Sequence, residues 1–194
     1  MVGVRQFDEE QAFAQALDLF WRKGFRTTSM LDLAEATGVQ RGSLYHAYGD
    51  KEEIFMRVFE RYADEYIASA RRALDKPDVR DALTALFAFT IRSIAQGSPP
   101  RGCLSTRTAI EVDPGSARLR VALQKMLDEL EALVRSVLMT PDARKRLAIP
   151  ASQAARLVVT MTRGIAVMER VHADPKGLRR TASALVDLLV PKSA

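Results

Sequence analysis

The sequence predicts an all-α fold: a three-helix helix-turn-helix unit at the N-terminus, followed by a larger helical domain. Three observations carry that expectation. Apolar residues recur at helical spacing, as in Phe13, Ala16, Leu17 and Phe20 at i, i+3, i+4 and i+7. Two short helical segments meet at Gly38, whose conformational freedom suits a tight turn. Pro- and Gly-rich breaks, of which Gln96-Gly97-Ser98-Pro99-Pro100 is the clearest, divide the remainder into further amphipathic segments.

The first helix runs from Asp8 to Lys23, and Gly24 stops it. Trp21 and Phe25 read as core residues rather than nucleic-acid stacking groups, because packed helical domains need such side chains. Thr28 and Ser29 are placed to cap the next helix, with Asp32 three residues after Ser29 as in a capping box, and Met30, Leu33 and Ala34 share one face of it. After the turn, a second short helix covers Gln40 to Tyr48. Asp50 then caps a long helix reaching about Leu74, with Glu53 completing a second box and Phe55, Val58, Phe59, Tyr62 and Tyr66 as its buried stripe.

Lys76-Pro77-Asp78 ends that helix, and Leu83, Leu86, Phe87, Thr90, Ile91 and Ile94 mark the next. Gly102-Cys103-Leu104 opens a short helix expected to end near Asp113-Pro114-Gly115. A long amphipathic helix follows, burying Leu119, Leu123, Met126, Leu127, Leu130, Leu133, Val134 and Val137. Pro141 and Pro150 bracket a basic connection holding Arg144, Lys145 and Arg146. The last two helices are expected at about residues 151–171 and 175–190. In the first of them Leu157, Val158, Val159, Met161, Ile165, Ala166, Val167 and Met168 go most of the way round, which implies burial on more than one side. Gly164 and Ala166 would permit close approach there, and the final helix presents Leu178, Ala182, Leu185, Val186 and Leu189.

Composition excludes several function classes. One cysteine rules out an intrachain disulfide and a multi-cysteine metal site, and two separated histidines are too few for a typical structural zinc. No metal or cofactor is expected. Cys103, His46 and His172 show no activating arrangement, so an enzyme is not expected either. The N-terminus MVGVRQFDEEQ has no apolar signal core, and no run approaches the ~18 apolar residues of a membrane span, which points to the cytoplasm. The net charge of +5 is unevenly placed: residues 1–66 hold eight basic side chains against twelve acidic ones. Global charge is therefore a poor guide to a nucleic-acid surface, whereas from Phe20 to Lys51 the bases Arg22, Lys23, Arg26, Arg41 and Lys51 outnumber Asp32, Glu35 and Asp50.

In a helix-turn-helix the second helix lies in the DNA major groove while the first crosses the backbone. Val39 and Leu44 are the apolar residues that pin the segment 40–48, leaving Arg41, Gly42, Ser43, Tyr45 and His46 outward or on the rim. Arg41 suits guanine O6/N7 or a phosphate, Gly42 allows close backbone approach, and Ser43, Tyr45 and His46 can hydrogen-bond phosphate oxygens. Here a resemblance becomes specific. Phe20, Gly24-Phe25, Thr28-Ser29, Leu33-Ala34-Glu35, Gly38-Val39, Gly42-Ser43-Leu44-Tyr45, Tyr48, Lys51-Glu52 and Phe55 follow in the order and spacing of the tetracycline-repressor (TetR) family, over roughly residues 8–60.

The resemblance implies a homodimeric transcription factor, usually a repressor, binding a palindromic operator in double-stranded DNA. It implies a DNA-binding domain at residues 5–65, a ligand-binding and dimerisation domain at residues 66–194, and a dimer formed through the last two helices. It adds Thr28, Ser29, Gln40 and Lys51 to the DNA-binding candidates. An unidentified small-molecule effector would then lie among the central helices, with Tyr62, Tyr66, Phe87, Thr90, Cys103, Arg107, Glu111, Met126 and Met161 as candidate contacts; apolar and aromatic walls with few polar groups fit a lipophilic ligand. Arg107 and Glu111, at i and i+4, pair with each other on the simpler reading. Two alternatives stay open. Cys103, at a helix N-terminus with Arg101 and Arg107 nearby in sequence, suits a redox- or electrophile-responsive switch as well as an inert buried cysteine. A helical ligand-binding protein without DNA binding is the other.

Overall fold

The computed structural model describes residues 8–97, 101–111 and 116–192. Among them lie ten helices: α1 (Glu9–Lys23), α2 (Met30–Thr37), α3 (Arg41–Tyr48), α4 (Lys51–Leu74), α5 (Val79–Ile94), α6 (Leu104–Glu111), α7 (Ala117–Leu138), α8 (Pro141–Arg146), α9 (Ala151–His172) and α10 (Pro175–Leu189). The fold is all-α, as the apolar spacing requires. The residues chosen for the end of α6, Asp113-Pro114-Gly115, lie outside the described ones, as do Ser98 to Pro100.

Side-chain caps set half of the N-termini. Asp8 accepts from the Gln11 amide, and Ser29 and Asp32 form a reciprocal capping box that starts α2 one residue later than Ser29. Asp50 accepts from the Glu53 amide, but the expected second box is only half made. The Glu53 carboxylate is drawn instead to Arg57 and Arg118, whose charges outbid a backbone amide and hold it below the ordinary carboxylate range. The stretch Pro141 to Arg146 is a helical turn rather than a plain connection, because Pro141 occupies the first helical position, where its missing N–H costs nothing.

α1, α2 and α3 pack together with α4, and α5 and α7 pack along it from the other domain, with α9 against α7 and α10 against α5 and α9. α4 is continuous across residues 65 and 66 and belongs to both cores. Its rings form a ladder: Phe20 meets Phe55 edge-on at 4.8 Å, Phe59, Tyr62 and Tyr66 continue it at 5.8–6.1 Å spacings, and Tyr66 meets Phe89 of α5 at 5.2 Å. Aromatic pairs at such distances add to simple area burial and tie the two cores together through one helix.

α9 is two-faced. Val158, Ile165, Ala166 and Glu169 are buried within the chain, whereas Leu157, Val167, Met168 and Val171 are 44–68% exposed. At 100° per residue those four exposed residues fall within about a 100° arc. Leu188 of α10 is also exposed, and a Cβ at Gly164, on the same face of α9, would meet nothing within 4 Å.

Candidate nucleic-acid interface

α3 is short and polar, so its position is fixed by what it buries. Leu44 and Tyr48 are buried, Val39 closes the turn beneath it, and the Tyr48 hydroxyl donates to Glu9 Oε1 at 3.0 Å. Gly38, at φ +66°, makes the left-handed turn that a side chain would strain. Gln40 caps α3 without a side-chain bond and is exposed. The outward face then carries Arg41, Gly42, Tyr45 and His46, with Ser43 half-buried on the rim and no carboxylate in the helix. Arg41 lies over the Tyr45 ring at 5.4 Å and reaches its hydroxyl at 3.5 Å, which orders both side chains along one edge.

Gly42 is informative because nothing inside the chain demands it. A Cβ there would meet no atom within 4 Å, yet glycine in a helix is less favourable than alanine, by up to about 1 kcal/mol in an interior and less at Gly42, the second residue of α3. Bare backbone on this face has a use only in close approach by another molecule.

Two other candidates are placed differently. Thr28 is buried, and its hydroxyl donates to the Gly24 carbonyl, so that side chain serves the α1–α2 turn and does not face out. Lys51 is half-buried, with its ammonium over the Phe25 ring at 4.6 Å and donating to the carbonyls of Phe25 at 2.8 Å and Arg26 at 3.4 Å. Burial pushes its pKa down while Asp32 and Glu111 pull it up. Ser29 is exposed at the start of α2, where its hydroxyl and amide both engage Asp32. Lys23 and those Ser29 groups hold the Asp32 carboxyl well below the ordinary range.

The reader is tied to the second domain by a polar clamp. Arg107 of α6 donates to the carbonyls of Trp21, Arg22 and Lys23 at 2.9–3.2 Å, the unpaired end of α1. Its Nε donates to Glu111 at 2.6 Å, and the Glu111 carboxylate accepts from the amides of Phe25 at 2.7 Å and Arg26 at 3.4 Å. Arg107 and Glu111 thus pair, as their spacing allows, and together they bind the α1–α2 turn.

The other effector candidates form packed core. Phe87 and Met126 are 1% exposed, Tyr66 shares a 3.4 Å contact between its hydroxyl and Thr90 Oγ1, and Met161 packs against the core from the side. Tyr62 and Cys103 approach at 3.9 Å. A groove of about 650 Å³ opens between α4 and α7, with Met56, Phe59 and Met126 in its floor and Glu60, Arg118 and Lys125 on its rim.

Around Cys103 the structure supplies a residue that the sequence reading missed. Arg163 of α9 reaches Cys103 Sγ at 3.4 Å and Tyr66 Oη at 3.3 Å, and bonds Ser105 Oγ. It has no carboxylate partner among the described residues. Burial pushes the Cys103 thiol up, but the Arg163 guanidinium and hydrogen bonds from Ser105 and Thr106 outweigh it, and the net shift is downward. A signal existed: Arg163 is the sole charge between Leu157 and Met168.

Comparison with known proteins decides the family. The profile described as "Bacterial regulatory proteins, tetR family" matches residues 13–58, and "Tetracyclin repressor-like, C-terminal domain" matches residues 79–185, more than half of the chain. The chain belongs to the TetR family. This TetR-family chain is 26% identical over 186 residues to the HTH-type transcriptional repressor ComR of Escherichia coli K12, covering 94% of this chain and 89% of that one. It is 26% identical over 131 residues, 66% of each, to the repressor NemR of the same strain. Among solved structures, a cysteine mutant of the TetR family transcriptional regulator CifR complexed with operator DNA superposes with a TM-score of 0.84 at 27% identity, covering 94% of this chain and 97% of that one. No described helix is long and apolar enough to cross a membrane, and the described residues hold no group of three or more potential metal ligands.

Proposed function

We propose that this protein is a homodimeric, sequence-specific DNA-binding transcriptional regulator, a repressor released from a palindromic operator by a small-molecule effector. The observation that carries it is the outward face of α3: Arg41, Gly42, Tyr45 and His46 exposed, no carboxylate, and a glycine with no internal purpose. Gln40, Ser43 and Ser29 flank that face, and the relation to CifR, solved on operator DNA, supports the same use. Arg41 is the base-reading candidate, with the hydroxyl and imidazole groups on phosphate. Lys51 and Thr28 act from behind, holding the turn that presents the α2 N-terminus.

The exposed apolar strip of α9, with Leu188 of α10, supports dimerisation through these two helices as a four-helix bundle. Such a dimer sets two copies of α3 about one DNA turn, ~34 Å, apart. Residues 5–65 serve as the reading domain and 66–194 as the sensing and pairing domain, in the cytoplasm where the DNA is. The test is selection of genomic fragments on the purified dimer, followed by footprinting with wild type and Arg41→Ala. A palindrome protected by wild type and lost in the variant is expected; equal protection by both would remove Arg41 from the reading role.

A second reading of the signal is favoured by the Arg163 guanidinium beside Cys103. In it the Cys103 thiolate adds to the β-carbon of an α,β-unsaturated carbonyl, an S–C bond forms, and the alkene electron pair takes a proton from water at the α-carbon. The adduct would separate Cys103 from Arg163 and Tyr62 and shift α6, which starts at the next residue. Operator release by such an electrophile in wild type but not in Cys103→Ser is the expected result; equal release in both would discard this reading.

A further inference from the structure

A second cleft, of about 610 Å³, lies between the end of α1, the residues Gly97, Arg101 and Gly102, and the end of α9. Its lining includes Trp21, Arg22, Arg101, Arg107, Glu169 and Arg170. Two polar atoms of these lining residues are buried without a hydrogen-bond partner among the described residues: Trp21 Nε1 and Glu169 Oε2. Glu169 is 5% exposed and sits on the face of α9 turned away from the apolar strip, so pairing of two chains does not explain it. A buried carboxylate oxygen or indole N–H left unpaired costs on the order of 1–3 kcal/mol, more when charged, and two such atoms beside one cleft call for a common partner.

The chemistry of that partner follows from the walls. An ionised carboxylate only accepts, so the partner brings a donor to Glu169; the indole only donates, so it brings an acceptor to Trp21. Arg22, Arg101 and Arg170 surround the opening, and Asp18, which also lines the cleft, is already paired with Arg22 at 2.7 Å and faces Arg101 at 3.8 Å. Cations around the acceptor position select an anion. Arg101 lies 5.3 Å over the Trp21 ring and is exposed, which makes it a movable cover for the buried atoms. The backbone of Arg101 and Gly102 is anchored, since their amides donate to the carbonyls of Gln96 and Ile94, at and just beyond the end of α5.

We infer that this cleft is the effector site: it takes a small organic anion that also carries a hydrogen-bond donor, a hydroxy or amino acid by class, with the donor on Glu169 and the anion between Trp21 Nε1 and Arg101. The inference rests on the reading of the chain as an effector-controlled DNA-binding regulator. It also supplies the route of control, because Arg107 lines the same cleft and holds the last carbonyls of α1. An occupant drawing on Arg107 loosens the reader from α6.

The test uses the full-length dimer without DNA, so that its outcome is independent of operator binding. Trp21 is the only tryptophan, and its fluorescence reports the site directly. Titration calorimetry and fluorescence with 4-hydroxybenzoate, with benzoate lacking the donor and phenol lacking the anion as comparators, should give saturable binding to the first and at least tenfold weaker binding to the others. Glu169→Leu and Arg101→Ala should each weaken it at least tenfold. Glu169→Leu removes an unpaired buried group and is expected to fold with unchanged or raised melting temperature, and Arg101→Ala alters an exposed side chain. Absence of saturable binding by wild type, or the same affinity in both variants, overturns the inference while leaving the DNA-reading role to its own footprinting test.

Discussion

Substituting Gly24 by alanine probes the clamp between reader and second domain at its tightest point. Gly24 is buried at φ +86° and ψ 167°, a backbone region that is essentially glycine-only and costs roughly 1–3 kcal/mol for other residues. The new methyl would lie 2.3 Å from Glu111 Oε1 and 2.7 Å from Arg107 Nε, where no Cβ fits. It has to part the 2.6 Å Arg107–Glu111 pair or pull Glu111 from the Phe25 amide, and a hydrogen bond to a charged group is worth about 1.5–3 kcal/mol. Together these give about 3–5 kcal/mol. At 2–4 °C per kcal/mol for a chain of this size, the melting temperature should fall by roughly 10 °C, measured by circular dichroism at fixed dimer concentration. The two contributions separate in a double-mutant cycle. In a Glu111→Ala background the clash with the carboxylate is gone, leaving the backbone strain and the contact with Arg107 Nε, so the paired substitutions should cost about 1.5–3 kcal/mol less than their sum. A Gly24→Ala protein melting within about 2 °C of wild type, or strictly additive substitutions, would refute the assignment of Glu111 as the turn's anchor.

Three further outcomes are expected. Gly42→Ala should leave fold stability unchanged or raise it by at most about 1 kcal/mol, since it removes a first-turn helix glycine with open space around it, yet weaken operator binding at least tenfold; undiminished stability with unchanged affinity in a gel-shift assay would sink the close-approach argument. Ser29→Ala breaks the capping box of α2 and should cost about 1 kcal/mol in chemical unfolding, with faster amide exchange at the start of α2; an unaltered unfolding midpoint would argue against it. Alkylation of Cys103 by iodoacetamide should have its midpoint below the ordinary thiol value of about 8.5, and Arg163→Met should move it upward; identical pH profiles would dissociate the guanidinium from the thiol. Because the folded thiol has the lower pKa, the stability tied to its ionisation is complete above the unfolded value and is lost as pH falls through the folded one.

The fold was largely legible because it rests on local signals. The stripe Phe13, Ala16 and Phe20, the capping residues Asp8, Ser29 and Asp50, and the turn glycine Gly38 each act within one helical turn of themselves. What the sequence hid are pairings between distant segments. Nothing near Glu53 in sequence announces Arg118, which takes the carboxylate expected to finish the α4 cap. Thr28 looks as available to phosphate as Ser29 until packing buries it against Gly24. The effector candidates were chosen as apolar residues with polar neighbours, and that rule cannot tell a pocket wall from a filled core: Met126 lies in the floor of the α4–α7 groove, whereas Phe87 and Thr90 are buried. Arg107 and Glu111 were paired correctly, but their hold on residues 21–26 depends on some 85 residues of intervening chain.

The routes by which a signal can reach α3 converge on one short turn. The aromatic ladder along α4 joins the two cores but is non-directional, and rings at 5–6 Å tolerate small sliding with little loss. Hydrogen bonds do not, since they weaken steeply with angle and distance. All the directional links found between the second domain and the α1–α2 turn, Arg107 to residues 21–23 and Glu111 to Phe25 and Arg26, come from α6. From the other side Lys51, at the first turn of α4, grips the carbonyls of the same Phe25 and Arg26. Residues 25 and 26 are therefore held by amide from α6 and by carbonyl from α4, immediately before the capped start of α2. A shift of either helix by about 1 Å breaks bonds of 2.7–2.8 Å at this point and is passed to α2 and α3 as a change in angle. In a dimer whose two copies of α3 must match one DNA turn, that change alone is enough to lose the site.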